Sequence, residues 1–106
     1  MSNEPGFDYR EIDDIIHGRV RLSIMAYLSG AGEADFNELK AKLGGASDGN
    51  LSVHLRKLEE AGYIGVEKGY RGRRPQTTVS LSKKGREAWI AYIARMEEFL
   101  KPKAAE

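Results

Sequence analysis

Ser47-Asp-Gly-Asn-Leu-Ser-Val-His-Leu-Arg-Lys-Leu-Glu-Glu-Ala-Gly-Tyr-Ile64 is the stretch whose reading decides the rest of the chain. It opens on two good helix caps, Ser47 and Asp48, whose side-chain oxygens can satisfy free N–H groups of a first turn. Leu51, Leu55 and Leu58 then recur at spacings of four and three, the period of one helical face. Asp48, Gly49, Ser52, Val53 and Arg56 fall on the opposite side. A helix is expected from Ser47 or Asp48 to Glu60 or Ala61, stopping at Gly62, with leucines inward and a small, polar face outward.

Working back along the chain, Gly44-Gly45-Ala46 is a short link. Before it, Asp35 is a plausible N-cap for a helix whose apolar points are Phe36, Leu39 and Leu43. Two helices joined by a short glycine-containing link have the spacing of a helix-turn-helix. Ser29-Gly30-Ala31-Gly32 is a breaker cluster. It ends a broad apolar helix that follows the interruption at Gly18, runs to about Leu28 and carries Val20, Leu22, Ile24, Met25 and Leu28. Ile12, Ile15 and Ile16 suggest one more helix from about Asp8 to His17.

Forward of Gly62 the period changes. Tyr63–Glu67 and Thr77–Leu81 read as short strands, and they most simply pair as a hairpin with a long tip, Lys68-Gly-Tyr-Arg-Gly-Arg-Arg-Pro-Gln76. Ser82 can cap a last helix from about Lys83 to Leu100, with Trp89, Ile93, Met96 and Leu100 as its stripe.

Charge is distributed unevenly. The net is only +1, yet residues 63–86 carry seven bases against one acid, and residues 1–16 carry five acids against one base. Such a basic cluster is what polyanion binding needs. Arg71, Arg73 and Arg74 share the hairpin tip with Tyr70, and with few neighbouring acids they repel one another unless an anion is present. Lys83, Lys84 and Arg86 oppose the helix dipole at the start of the last helix, which phosphate contact would offset. On the outward helical face, Ser52 can bond a base edge or a phosphate. Arg56 can fork onto guanine or a phosphate, and Val53 can touch a thymine methyl. Asp48 either accepts from cytosine or only caps the helix. The candidate DNA-contacting residues are Asp48, Gly49, Asn50, Ser52, Val53, Arg56 and Lys57 on the helix, and Lys68, Tyr70, Arg71, Arg73, Arg74 and Gln76 on the hairpin.

Three stretches together resemble winged-helix transcriptional regulators of the MarR and ArsR type. They are Arg19–Leu28 with Asp35–Leu39, then Ser47–Ile64, then Val79-Ser-Leu-Ser-Lys-Lys-Gly85, and the resemblance covers about residues 10–100. It implies a mainly α fold with a small β-hairpin (α+β), a winged helix-turn-helix of about five helices and a two- to three-stranded wing sheet. It further implies that 47–61 is the recognition helix, that 68–76 is the wing, and that terminal helices form a homodimer on double-stranded DNA. Metal-sensing ArsR-type members use cysteine pairs, and this chain has no cysteine. Larger MarR-type proteins frame a ligand pocket with longer flanking helices, so an inducing small molecule is not implied here.

The 106 residues fit one domain with loose ends at 1–6 and 102–106. The acidic N-terminus does not have the form of a signal peptide, and no apolar run approaches a membrane span. A cytoplasmic protein without membrane contact is expected. No nucleophile–base–orienter set or phosphate-loop pattern can be assembled, so neither an enzyme nor a cofactor is expected. His54, beside Leu55, is read as having a structural hydrogen-bonding or helix-packing role rather than as a metal ligand. Trp89, Tyr92, Ile93, Met96, Phe99 and Leu100 exceed what one core face needs. Either a partner chain covers them, together with Ile12, Ile15 and Ile16, or the N-terminal helix of the same chain does. A protein-interaction adaptor is the competing function, because winged helices share shape without sharing role.

Overall fold

A computed structural model of the chain describes residues 8–45 and 47–101. The expected loose ends and Ala46 of the link lie outside the described residues. Among the described residues, four α-helices and three strands follow one another as α1 (Arg19–Ala31), β1 (Glu33–Asp35), α2 (Phe36–Lys42), α3 (Asp48–Glu60), β2 (Ile64–Arg71), β3 (Arg74–Leu81) and α4 (Lys83–Leu100). This is the α+β winged helix-turn-helix that the sequence implied, with three strands in its sheet.

Capping chemistry sets the helix starts. The Asp35 side chain accepts from Glu38 N at 2.7 Å to open α2. Ser47 accepts from Asn50 N at 3.1 Å to open α3, so Ser47 rather than Asp48 is the cap. Ser82 accepts from Gly85 N at 2.9 Å to open α4. Each such cap is worth about 1 kcal/mol of helix stability.

The expected helix over Asp8–His17 does not form. Only a 3-10 turn, Tyr9–Glu11, is present, and Ile12 is extended. Asp13 supplies the reason. Its Oδ1 accepts from Ile15 N at 2.8 Å and from Ile16 N at 3.1 Å, and its backbone O accepts from His17 N at 2.9 Å, so a separate single turn is capped at Asp13 and does not continue from Glu11. The isoleucines still reach the interior: Ile16 is fully buried, and Ile12 and Ile15 pack against the core. The "about five" helices therefore become four and a 3-10 turn.

β1 was not legible in the sequence. It pairs antiparallel with β3 (Ala34 opposite Val79), and β3 pairs with β2, giving the order β1-β3-β2. One hydrophobic cluster joins every layer. Ile24, Met25 and Leu28 of α1, Leu39 of α2, Leu51, Leu55 and Leu58 of α3, Ile64 and Val79 of the sheet, and Tyr92 of α4 are all buried. The three leucines of the opening stretch are thus inward as their spacing required.

The junction between α3, β2 and α4 is closed tightly. Ser82 N donates to Tyr63 O at 3.0 Å, and Ser82 Oγ donates to Gly62 O at 2.6 Å. Gly85, buried in the first turn of α4, lies so close to this strand that a Cβ there would stand 2.0 Å from Tyr63 O.

Candidate nucleic-acid interface

With its leucines buried, α3 turns Asp48, Gly49, Asn50, Ser52, Val53, Arg56 and Lys57 outward, all exposed. Asp48 is engaged: its carboxylate lies 2.6 Å from Lys40 Nζ, tying the start of α3 to α2. Ser52 and Arg56 open onto a cleft of about 400 Å³ whose other wall is the sheet, through Val66, Lys68 and Thr77. Phe36, Asp48, Leu55 and Glu59 complete it. The helical surface and the base of the wing, at Lys68, therefore face one opening, and the tip residues lie beyond it.

The hairpin is built differently from the long loop expected. β2 and β3 remain paired as far as Arg71 opposite Arg74, leaving a two-residue turn, Gly72-Arg73. Gly72 has φ +64°, and Arg73 has a negative φ. Those signs suit a type II′ turn, which matches strand twist and needs glycine at its first central position. Pairing register sorts the tip into two faces, because side chains alternate along a strand. Val66–Val79, Lys68–Thr77 and Tyr70–Pro75 share the face that lines the α3 cleft. Gly69–Gln76 and Arg71–Arg74 share the other. Arg71, Arg74 and Gln76, with Pro75 and Thr77 of the same strand edge, also meet Asp35, Phe36 and Asn37 of the β1–α2 corner around a second cleft of about 300 Å³.

Among the described residues, Arg56, Lys68, Arg71, Arg73 and Arg74 take part in no ion pair. Directly opposed like charges, as at Arg71–Arg74, weaken a strand pair. Thr77 and Asn37 line these clefts and were not singled out in the sequence. Thr77 lies where the strand reading began, and Asn37 beside a cap, so neither stood out by type or spacing.

A family model described as winged helix DNA-binding domain matches residues 20–100. The chain belongs to that family. An uncharacterised protein of Methanocaldococcus jannaschii is 42% identical over 79 residues, covering 74% of this chain and 85% of that protein. The solved structure of a transcriptional regulator homologue from Pyrococcus horikoshii OT3 superposes with a TM-score of 0.76 at 29% identity, covering 81% of this chain and 84% of that one. A protein described as a regulator of the MarR family from Enterococcus faecalis V583 shares the fold, with a TM-score of 0.71 at 24% identity over 91% of this chain and 89% of its own. The winged helix, read from leucine spacing and a basic hairpin, is thus the fold of transcriptional regulators.

Behind α3 of this winged-helix domain lies a set of polar contacts. Arg21 of α1 donates to Ile15 O at 2.5 Å through Nε, and through Nη1 to His54 Nδ1 at 3.0 Å. Guanidinium cannot accept, so His54 Nδ1 is the acceptor and carries no proton. Burial, then the charges of Arg21 and Lys57, hold His54 below its usual 6.5. This is the structural hydrogen bond expected of it. Asp13 Oδ2 accepts from the Tyr63 hydroxyl at 2.5 Å. Burial first, then that bond, pushes the Tyr63 phenol up to about 12. His17 Nδ1 and the Tyr92 hydroxyl lie 2.8 Å apart, and Tyr92 stacks on Trp89 with ring centres 5.9 Å apart. No group of three or more His, Asp or Glu among the described residues is placed to hold a metal ion.

Of the residues assigned to a partner interface, Ile16 and Tyr92 are buried within their own chain. Ile12, Ile15, Trp89, Met96 and Phe99 are partly buried. Ile93 is 40% exposed and Leu100 74%. Ile90, absent from that set, is 61% exposed on the same helix. Arg95 pairs with Glu11 at 3.1 Å, so the N-terminal segment covers one side of α4 while its apolar outer side stays open. No helix among the described residues is long and apolar enough to cross a membrane.

Proposed function

We propose that this protein is a cytoplasmic transcriptional regulator that binds double-stranded DNA sequence-specifically as a homodimer. The observation that carries the reading is the shared opening. Ser52 and Arg56 of α3 and Lys68 of the wing line one cleft, while the arginines at the hairpin tip lack acidic partners among the described residues. A helix held proud of a surface fits the ~12 Å wide major groove. Arg56 then forks onto guanine, Ser52 bonds a base edge or phosphate, and Val53 meets a thymine methyl. Gly49 permits close approach, and Asn50 and Lys57 flank the contact. Arg71, Arg73 and Arg74 hold the adjacent backbone or minor groove, whose negative potential attracts arginine.

Dimerisation supplies the second half of the site. Two recognition helices must enter successive major grooves about 34 Å apart. The apolar outer side of α4, with Ile93 and Leu100 at its exposed positions and Trp89, Met96 and Phe99 beside them, is the surface we assign to the partner copy. The long axis of the chain, 63 Å against 25 and 22 Å across, supports an arrangement with the reading heads held apart.

The test is binding to duplexes recovered from a random pool, followed across salt concentrations. Affinity should fall steeply with salt, and the double variant R73A/R74A should reduce the logarithmic slope by about two while weakening all sequences alike. R56A should cost about 1–3 kcal/mol and relax preference at one position. Recovery of a palindromic motif supports the dimer. Absence of any salt-sensitive retention refutes the reading and leaves the adaptor role standing.

A further inference from the structure

The pairing register carries one consequence for how the wing reads DNA. Tyr70 is 75% exposed and lies directly opposite Pro75, one pair short of the Arg71–Arg74 pair that closes the hairpin. It is on the face of the ribbon that continues through Lys68–Thr77 into the α3 cleft, and the Arg71–Arg74 pair is on the reverse face. When α3 is seated in a major groove, the ribbon face turned toward the same duplex bears an aromatic ring and a proline. Residues 68–76 contain four bases and no acid, so a polyanion is the surface whose charge complements this apolar pair's surroundings.

We infer that Tyr70 and Pro75 form an apolar wedge that enters the minor groove beside the half-site and makes flexible pyrimidine–purine steps the preferred flanking sequence. The inference rests on the DNA-binding reading above. A paired ribbon is too broad for a groove about 6 Å wide, so only tip side chains enter it. Apolar side chains in that position partly unstack a base step, and the energy required is least at TA and CA/TG steps. The arginines on the reverse face and in the turn draw the flanking phosphates inward, which favours the bend such a wedge produces. Phosphate contact thereby falls to the arginines and shape reading to the Tyr70 ring, with Pro75 between them at the strand edge it shares with Arg74 and Gln76. Tyr70 acts through its ring and not its hydroxyl.

Two duplexes carrying the pool-selected site and differing only in the flanking step, TA against a stiff A-tract step, separate these roles. The wild-type protein should bind the TA duplex about tenfold more tightly, the size of a typical single-position discrimination. Y70A should lose that preference and keep the salt slope. Y70F should retain both. R73A should keep the preference and lower the slope by about one. Circular dichroism of the free Y70A protein should match wild type, since the side chain is exposed. A wild-type protein with a normal salt slope and no step preference, or a Y70A variant that keeps the preference, overturns this inference alone. Lack of salt-dependent binding by the wild type overturns the DNA-binding reading and this inference with it.

Discussion

Gly85 offers the sharpest test of the packing that sets α4 against the α3–β2 corner. In the substitution G85A the new Cβ would stand 2.0 Å from Tyr63 O, 2.8 Å from Tyr63 C and 3.0 Å from Leu81 Cδ1, where ordinary contact begins at 3.4 Å. The obstacle is backbone, so a rotamer change cannot relieve it. The first turn of α4 must move away by roughly 1 Å or more, at the upper end of the ~1–3 kcal/mol that core overpacking costs. The same movement pulls Ser82 from Tyr63 O and Gly62 O and loosens its cap on Gly85 N. Loss of the cap adds about 1 kcal/mol. Alanine returns about 1 kcal/mol through its helix propensity. The net is a destabilisation of about 3 kcal/mol. Urea unfolding of wild type and variant at one protein concentration measures it, since the proposed dimerisation would make apparent stability concentration-dependent. With a slope of roughly 1–3 kcal/mol/M, the midpoint should fall by about 1–3 M. A variant as stable as wild type, or more so, refutes the argument, because helix propensity would then be the only effect present.

Replacing Ile16, buried among its own chain's residues, by alanine should cost about 2–5 kcal/mol in the same assay, even under conditions where the protein is monomeric. His54 should make stability depend on pH. Its folded value is held below 6.5, so the unfolded chain binds the proton more tightly. The contribution is present in full above pH 6.5 and is lost as pH falls through the folded value. H54Q should flatten that part of a stability–pH profile, and an unchanged acid limb would contradict the Arg21–His54 geometry. The Lys40–Asp48 pair is largely solvent-exposed, with side-chain accessibilities of 39% and 69%. D48N should therefore shift the thermal midpoint by the equivalent of less than about 1 kcal/mol.

The elements legible in the sequence are those whose information is local and repeated. Leu51, Leu55 and Leu58 declared α3, and Ser82 with Trp89, Ile93 and Met96 declared α4, because several turns of one period leave little ambiguity. β1 has three residues and a partner more than forty positions away, so neither its period nor its pairing can be seen locally. Isoleucines at 12, 15 and 16 imitate a helical face, and only the Asp13 carboxylate, bonded to two backbone N–H groups, decides against it. Glycines and Pro75 interrupt the hairpin tip and hide its strand period from the sequence. β1 pairs with β3 only from Thr78 onward. Pro75 therefore sits on a locally unpaired edge, where its missing N–H costs no ladder bond. The basic composition of the interface was visible from the start. Its division into two faces was not, because that depends on register.

The two-residue turn also gives the wing a rule for growth. Each residue added to both strands lengthens the arm by about 3.3 Å and reverses which side chains look toward α3. Even increments extend reach with the ring and the arginines on their present sides, and odd increments exchange them. Grafted or naturally elongated hairpins on this scaffold are accordingly expected to come in steps of two, with the parity of the insertion setting which chemistry looks toward α3.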